Sequence, residues 1–219
     1  MGTNSVEVGG IEISGNITVN GQVAVGPGVS DPSTVVDING GSAIISGTPP
    51  IVSQQVALPM PEVAVPPGVP CTDLAINGSE TVVLSAAVGN YCFNTLSVSG
   101  GGTLTVDGPV KVYVTTLFHA IGNTQIGVPS NPAYLTMLLV SDSQATIEGS
   151  MSGTTEFYGG LYAPSAHIDV GGDALIYGSI IARTVGVSGD AQIHYDESLG
   201  ELTDPIGLYR IRILSWREL

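Results

Sequence analysis

Three histidines, two cysteines and nineteen carboxylates are the side chains of this 219-residue sequence with the widest chemical reach. His119, His167 and His194 are too scattered for a paired-histidine zinc motif, and neither cysteine has a companion at metal-knuckle spacing. The densest polar run is His194-Tyr195-Asp196-Glu197. In a strand, alternation sets His194 and Asp196 on one face and Tyr195 and Glu197 on the other. An acid–base pair at His194 and Asp196 is conceivable as a surface cluster. The plainer reading is structural, with Tyr195 continuing a series of tyrosine positions and His194 hydrogen-bonding a neighbouring coil.

Catalysis finds little else to use. Polysaccharide-cleaving β-folds need an acid pair, or clustered acids beside a cation. Lys111 and Arg183 are the only basic residues before the last 19 positions, while Asp107, Asp142, Asp169, Asp173 and Asp190 are spread through turns. Nucleophile elbow, P-loop and dinucleotide fingerprint are all missing. The expectation is a protein that is not an enzyme and carries no cofactor. GGDALIYGS gives only a faint echo of a calcium-binding repeat.

Cys71 and Cys92 lie 21 positions apart. Joined, they would close a loop worth about 3 kcal/mol in the chain-entropy picture; unjoined, they would be two buried thiols. The expectation is the disulfide, and with it an extracytoplasmic location. A net charge of −14 repels phosphate backbones and anionic lipid, which argues against nucleic-acid partners. No run approaches the roughly 18 apolar residues of a membrane span, so no membrane contact is expected. MGTNSVEVGG lacks the layout of a signal peptide, leaving either a cytosolic protein or one whose targeting segment has been removed.

The elements that must position these groups are short strands. Glycine and proline fill 44 of the 219 positions, against about 12% in average usage, while 43% of residues are apolar. Residues 11–28 read IEISGN, ITVNGQ, VAVGPG, making Ile11, Ile17 and Val23 equivalent. Alternation followed by a glycine turn gives a short strand with one buried face. In the centre Leu96, Leu104 and Val112 recur every eight residues. Further on, FYGGLYAPSAHIDVGGDA aligns with IYGSIIARTVGVSGDA at offsets of 19 and then 17. Tyr158 falls on Tyr177 and Ala163 on Ala182, and Ile193 follows Ile176 by 17. Such spacing predicts an all-β fold, a right-handed parallel β-helix (β-solenoid) closed by a C-terminal capping strand.

Four segments follow. Residues 1–48 supply short-repeat strands. Residues 49–70, with seven of the 14 prolines, form an extended connection on the surface, where Val52, Val56, Leu58 and Val63 could pack. Residues 71–200 form the main β-helix, and residues 201–219 the cap strand, its arginines facing the acidic body.

GGTLTVDGPVKVYV and FYGGLYAPSAHIDVGGDALIYGSIIARTVGVSGDAQIHYDESL resemble an uncharacterised domain of bacterial PilX-type, pilus-associated surface proteins, over roughly residues 92–200. HYDESL is the most specific piece, and SWREL is similar to the family's usual ending. The resemblance implies an exported, non-catalytic, pilus- or surface-associated β-solenoid, structural or adhesive, with pilus components or a protein or glycan surface as partners. Family members carry a hydrophobic pilin-like helix that this chain lacks. A weaker likeness links GNYCFNTLSVSGGGTLTVD to ice-binding β-solenoids, although Thr103 and Thr105 form one TxT pair and not a ladder. The hexads share a repeat style with bactofilin-type polymers, which makes a self-polymerising protein the other alternative.

Overall fold

The structure is a computed structural model and describes residues 2–19, 21–40, 44–57, 59–140, 148–196 and 199. Among them the chain is strand joined by turns, with two single-turn 3-10 segments at Pro32–Val35 and Pro132–Tyr134. The N-terminal part holds β1 (Ile11–Gly15), β2 (Thr18–Val19), β3 (Val23–Val25), β4 (Val36–Asn39), β5 (Ile44–Ile45) and β6 (Ile51–Ser53). Next come β7 (Cys71–Asn77), β8 (Thr81–Leu84), β9 (Asn90–Ser99), β10 (Thr103–Val106), β11 (Val110–Ile121) and β12 (Gln125–Ile126). The rest are β13 (Leu135–Leu139), β14 (Glu148–Ser152), β15 (Glu156–Val170), β16 (Leu175–Gly189) and β17 (Gln192–Tyr195). Every pairing between them is parallel.

The all-β expectation holds, but the right-handed parallel β-helix does not. Four strands close on themselves as a parallel barrel, with other strands bonded outside it and β3 and β6 forming a two-stranded sheet of their own. The first half of β11 pairs with β13 and its second half with β14, and both of these pair with β15. Closure follows from two long strands that bend. Register shifts lie between Val114 and Leu117 when β11 pairs with β9, and between Ala163 and His167 when β15 pairs with β16. A bulge turns the strand and frees its second half to find another partner. The repeat length also varies. Tyr113 meets Cys92 at an offset of 21, Val110 meets Leu135 at 25, and Leu175 meets Gln192 at 17. A single regular winding needs one pitch, which these offsets do not supply. The capping-strand segment, residues 201–219, lies outside the described residues.

Chain order is broken as well. β1 pairs with β16 and β2 with β17, so residues 11–53 sit beyond the last strands of the body and not ahead of its first. β4 and β5 then add outside β1 and β2, and β6 pairs with β3. The hexads explain this docking. Ile11, Ile17 and Val23 are all buried, as are Ile13, Val19 and Val25, so each hexad turns one apolar pair into the core that β16 and β17 leave open.

Inward residues form continuous rows. Ile76, Val98, Ala120, Met151, Val170, Val187, Ile13 and Ile38 are successive register partners. So are Val82, Leu104, Ile126, Phe157, Ile176, Ile193, Val19 and Ile45. Leu96, Leu104, Val112 and Ile176 are fully buried and Ile193 is partly buried against the same core. At one corner Gly78, Gly100, Gly122, Gly153, Gly172, Gly189 and Gly15 succeed one another, all at positive φ. A Cβ on any member after Gly78 would meet the backbone of the glycine before it, so the layers approach here as only glycine permits.

Candidate functional site

The cysteine expectation is met. Register places Cys71 directly beside Cys92, with Cα atoms 4.5 Å apart, and their sulfurs are bonded. The bond begins an outward apolar row that runs Cys92, Tyr113, Leu138, Tyr162, Ile181. An apolar row on the outside needs a cover, and the proline-rich segment supplies it: Val63, Val65 and Val69 pack onto the row. The Tyr162 hydroxyl donates to the Pro61 carbonyl at 2.7 Å. Burial pushes that hydroxyl up to about 12 and also raises Tyr113. Of the other residues expected to pack, Val52 lies in β6, Val56 is exposed, and Leu58 is outside the described residues.

Two groups of functional side chains lie on outward surfaces. The first is a column of rings. Tyr158 on β15 stacks on Tyr177 on β16 with centroids 5.1 Å apart and planes 6° from parallel. Tyr177 stacks in turn on His194 of β17 at 5.0 Å and 12°. Parallel register forces this, since Tyr158, Tyr177 and His194 are successive partners. Each offset stack contributes about 0.5–1.5 kcal/mol beyond burial. Tyr158 donates to the Glu156 carboxylate at 3.0 Å, and His194 Nε2 lies 3.3 Å from Gln192 Oε1. Burial, then the hydrogen bond to Glu156, the Glu156 charge and Tyr177, push the Tyr158 hydroxyl up to about 12. The position expected of Tyr195 is therefore taken by His194. Tyr195 is the register partner of Gly178.

The second group joins three polar residues on β15 and β16. His167 Nδ1 lies 2.7 Å from Thr184 Oγ1, and its Nε2 lies 3.0 Å from Asp169 Oδ1. Hydroxyl, imidazole and carboxylate in line is the order a base-activated nucleophile uses. The group is open: 39% of the His167 side chain and 66% of the Asp169 side chain face solvent. An open ion pair of this kind is worth about 0–1 kcal/mol. Gly186 makes the room, because a Cβ there would lie 2.6 Å from Asp169 Oδ1.

Of the candidate pair, His194 is held in the ring column, and Asp196 follows the end of β17. The cluster at His167 escaped the sequence reading. His-x-Asp on an outward strand face, with Thr184 one 17-residue step beyond His167, was the available signal. Other acids hold neighbouring layers: in a turn Asp107 accepts from Ala86 N–H and Ser85 Oγ, and on β7 Asp73 accepts from Thr95 N–H. Among the described residues no three His, Cys, Asp or Glu side chains gather as metal ligands would. Thr81 and Thr103 are row neighbours, but Gln125 and Glu156 continue the row, so threonines do not extend along that face.

Residues 73–202 match the model of one protein family, described as a domain of unknown function (DUF7305). No curated protein matches the chain, and no solved structure does.

Proposed function

The chain belongs to the DUF7305 family, and from that premise we propose that it is a non-catalytic, extracytoplasmic surface module of a bacterium, pilus-associated, with a structural or adhesive role. The observation that carries this reading is the Cys71–Cys92 bond under the proline-rich cover. A disulfide that ties the first strand of the body to the next belongs to an oxidising compartment. Among the described residues no helix is long and apolar enough to cross a membrane.

Parallel strands bonded layer on layer give a stiff body, and its stiffness serves a structural part. The adhesive part falls to the outward ring column at Tyr158, Tyr177 and His194, flanked by Glu156 and Gln192. Ring edges and hydroxyls beside a carboxylate and an amide suit hydroxyl-rich partners such as glycans. The acidic surface disfavours nucleic acid.

Two measurements test the proposal. Protease shaving of intact cells of the source organism should remove the protein, and thiol labelling should find Cys71 and Cys92 blocked; an intracellular protein with free thiols overturns the surface assignment. Purified protein should bind a glycan or abiotic surface saturably and lose binding in Tyr177→Ala. Turnover of a polysaccharide overturns the non-catalytic reading, and absence of binding across a broad panel removes the adhesive part.

A further inference from the structure

The two ends of the inward rows are alike. One row begins at Ile76 in β7 and ends at Ile38 in β4. The local sequences there are Leu74-Ala75-Ile76-Asn77-Gly78 and Val36-Asp37-Ile38-Asn39-Gly40, and both glycines have a positive φ, +62° and +69°. The second row begins at Val82 in β8 and ends at Ile45 in β5. Among the described residues β7 pairs with β9 alone, β8 with β10 alone, β4 with β1 alone and β5 with β2 alone. Among the described residues each end therefore offers one unbonded parallel edge.

Other observations mark these edges as open. Ile38 is 46% exposed, although it stands in a row buried along most of its length. At the opposite end Gly78 has open space where a Cβ would point, while the later members of its corner each meet a preceding glycine.

We propose that the partner for these edges is a second copy of this chain, added head to tail, with β4 and β5 of one copy on β7 and β8 of the next. The contact would repeat, between molecules, the parallel layer-on-layer contact that already holds β1 on β16 within one molecule. Ile38 would continue onto Ile76 and Ile45 onto Val82. Ile76 is already buried, so the gain in apolar burial falls on the Ile38 side. Asp37 would face Ala75, which places no carboxylate directly opposite another in that row. A contact between two different patches does not close on itself, so the product is a linear assembly. The net charge of −14 opposes it, and added salt screens that repulsion. This goes beyond the surface-module reading and can fail while that reading stands.

The test uses full-length protein with its disulfide intact. Sedimentation velocity should show mass rising above the 22.3 kDa monomer with protein concentration and with salt, and electron micrographs should show linear particles. Ile38→Lys with Ile44→Lys blocks one edge. Thr81→Pro with Val83→Lys blocks the other; the Thr103 N–H bonds the Glu80 carbonyl, so alternation turns the Thr81 N–H away from β10. Each double variant, confirmed folded by circular dichroism, should stay monomeric. An equimolar mixture of the two should form dimers and nothing larger, since each supplies the edge the other lacks. Three results overturn the proposal: a wild-type monomer at every concentration and salt, larger assemblies from either blocked variant alone, or a monomer whose Val36–Asn39 amides resist hydrogen exchange because another part of its own chain covers them.

Discussion

The glycine corner supports a sharp stability test, because two of its members differ in one respect only. Gly78 has a φ of +62° and nothing within 4 Å of where its Cβ would point. Gly172 has a φ of +67°, but a Cβ there would lie 2.7 Å from Gly153 N and 3.0 Å from Gly153 O. Alanine at Gly78 should cost only the left-handed strain, about 1–2 kcal/mol. Alanine at Gly172 adds the shift of a backbone that no rotamer can absorb, about 1–3 kcal/mol more by analogy with overpacking. The entropy lost from the unfolded chain is common to both and cancels in the comparison. Urea unfolding of Gly78→Ala and Gly172→Ala, followed by circular dichroism, should therefore separate them by about 1–3 kcal/mol, with Gly172→Ala the weaker. A difference below about 0.5 kcal/mol would mean that the layers do not touch at this corner, and the argument from close approach would fall.

Two other outcomes follow from named contacts. Reducing Cys71–Cys92, or replacing both cysteines by serine, should lower unfolding stability by about 3 kcal/mol, read as a shift in urea midpoint. On alkaline titration followed at 295 nm, Tyr158 and Tyr162 should ionise near 12, after a freely exposed tyrosine. Their folded pKa lies above the unfolded value of about 10, so their contribution to stability is whole below pH 10 and is lost as pH rises from 10 through 12. Glu156→Gln should bring the Tyr158 transition down and leave that of Tyr162 in place.

Much of the local structure was legible because strand alternation is a local property. The hexads announced Ile11, Ile17 and Val23 as core, and the 19-then-17 alignment anticipated the register of β15 with β16, bulge included. Topology was not legible in the same way. Nothing in residues 11–28 says that their partner strands lie near residues 175–195, because parallel pairing depends on which edge is free after the rest has folded. The closed barrel was missed for a related reason: a strand that changes partner halfway reads, in one dimension, like any other strand. At the candidate site, tyrosine spacing was visible, yet continuing it to Tyr195 failed by one residue. The step from Tyr177 is 17 and not 18, and a slip of one places a side chain on the other face.

The placement of β1 against β16 has a consequence for biosynthesis. β1 and β2 leave the ribosome more than 150 residues before β16 and β17, the strands they lie on. Until those strands are made, this glycine-rich segment has no template and must wait as an apolar, unpaired ribbon. Completion of β16 and β17 is then the event that lets β1 and β2 dock. Pairing across so long a stretch of chain raises the contact order of the fold and makes its docking a late, slow step.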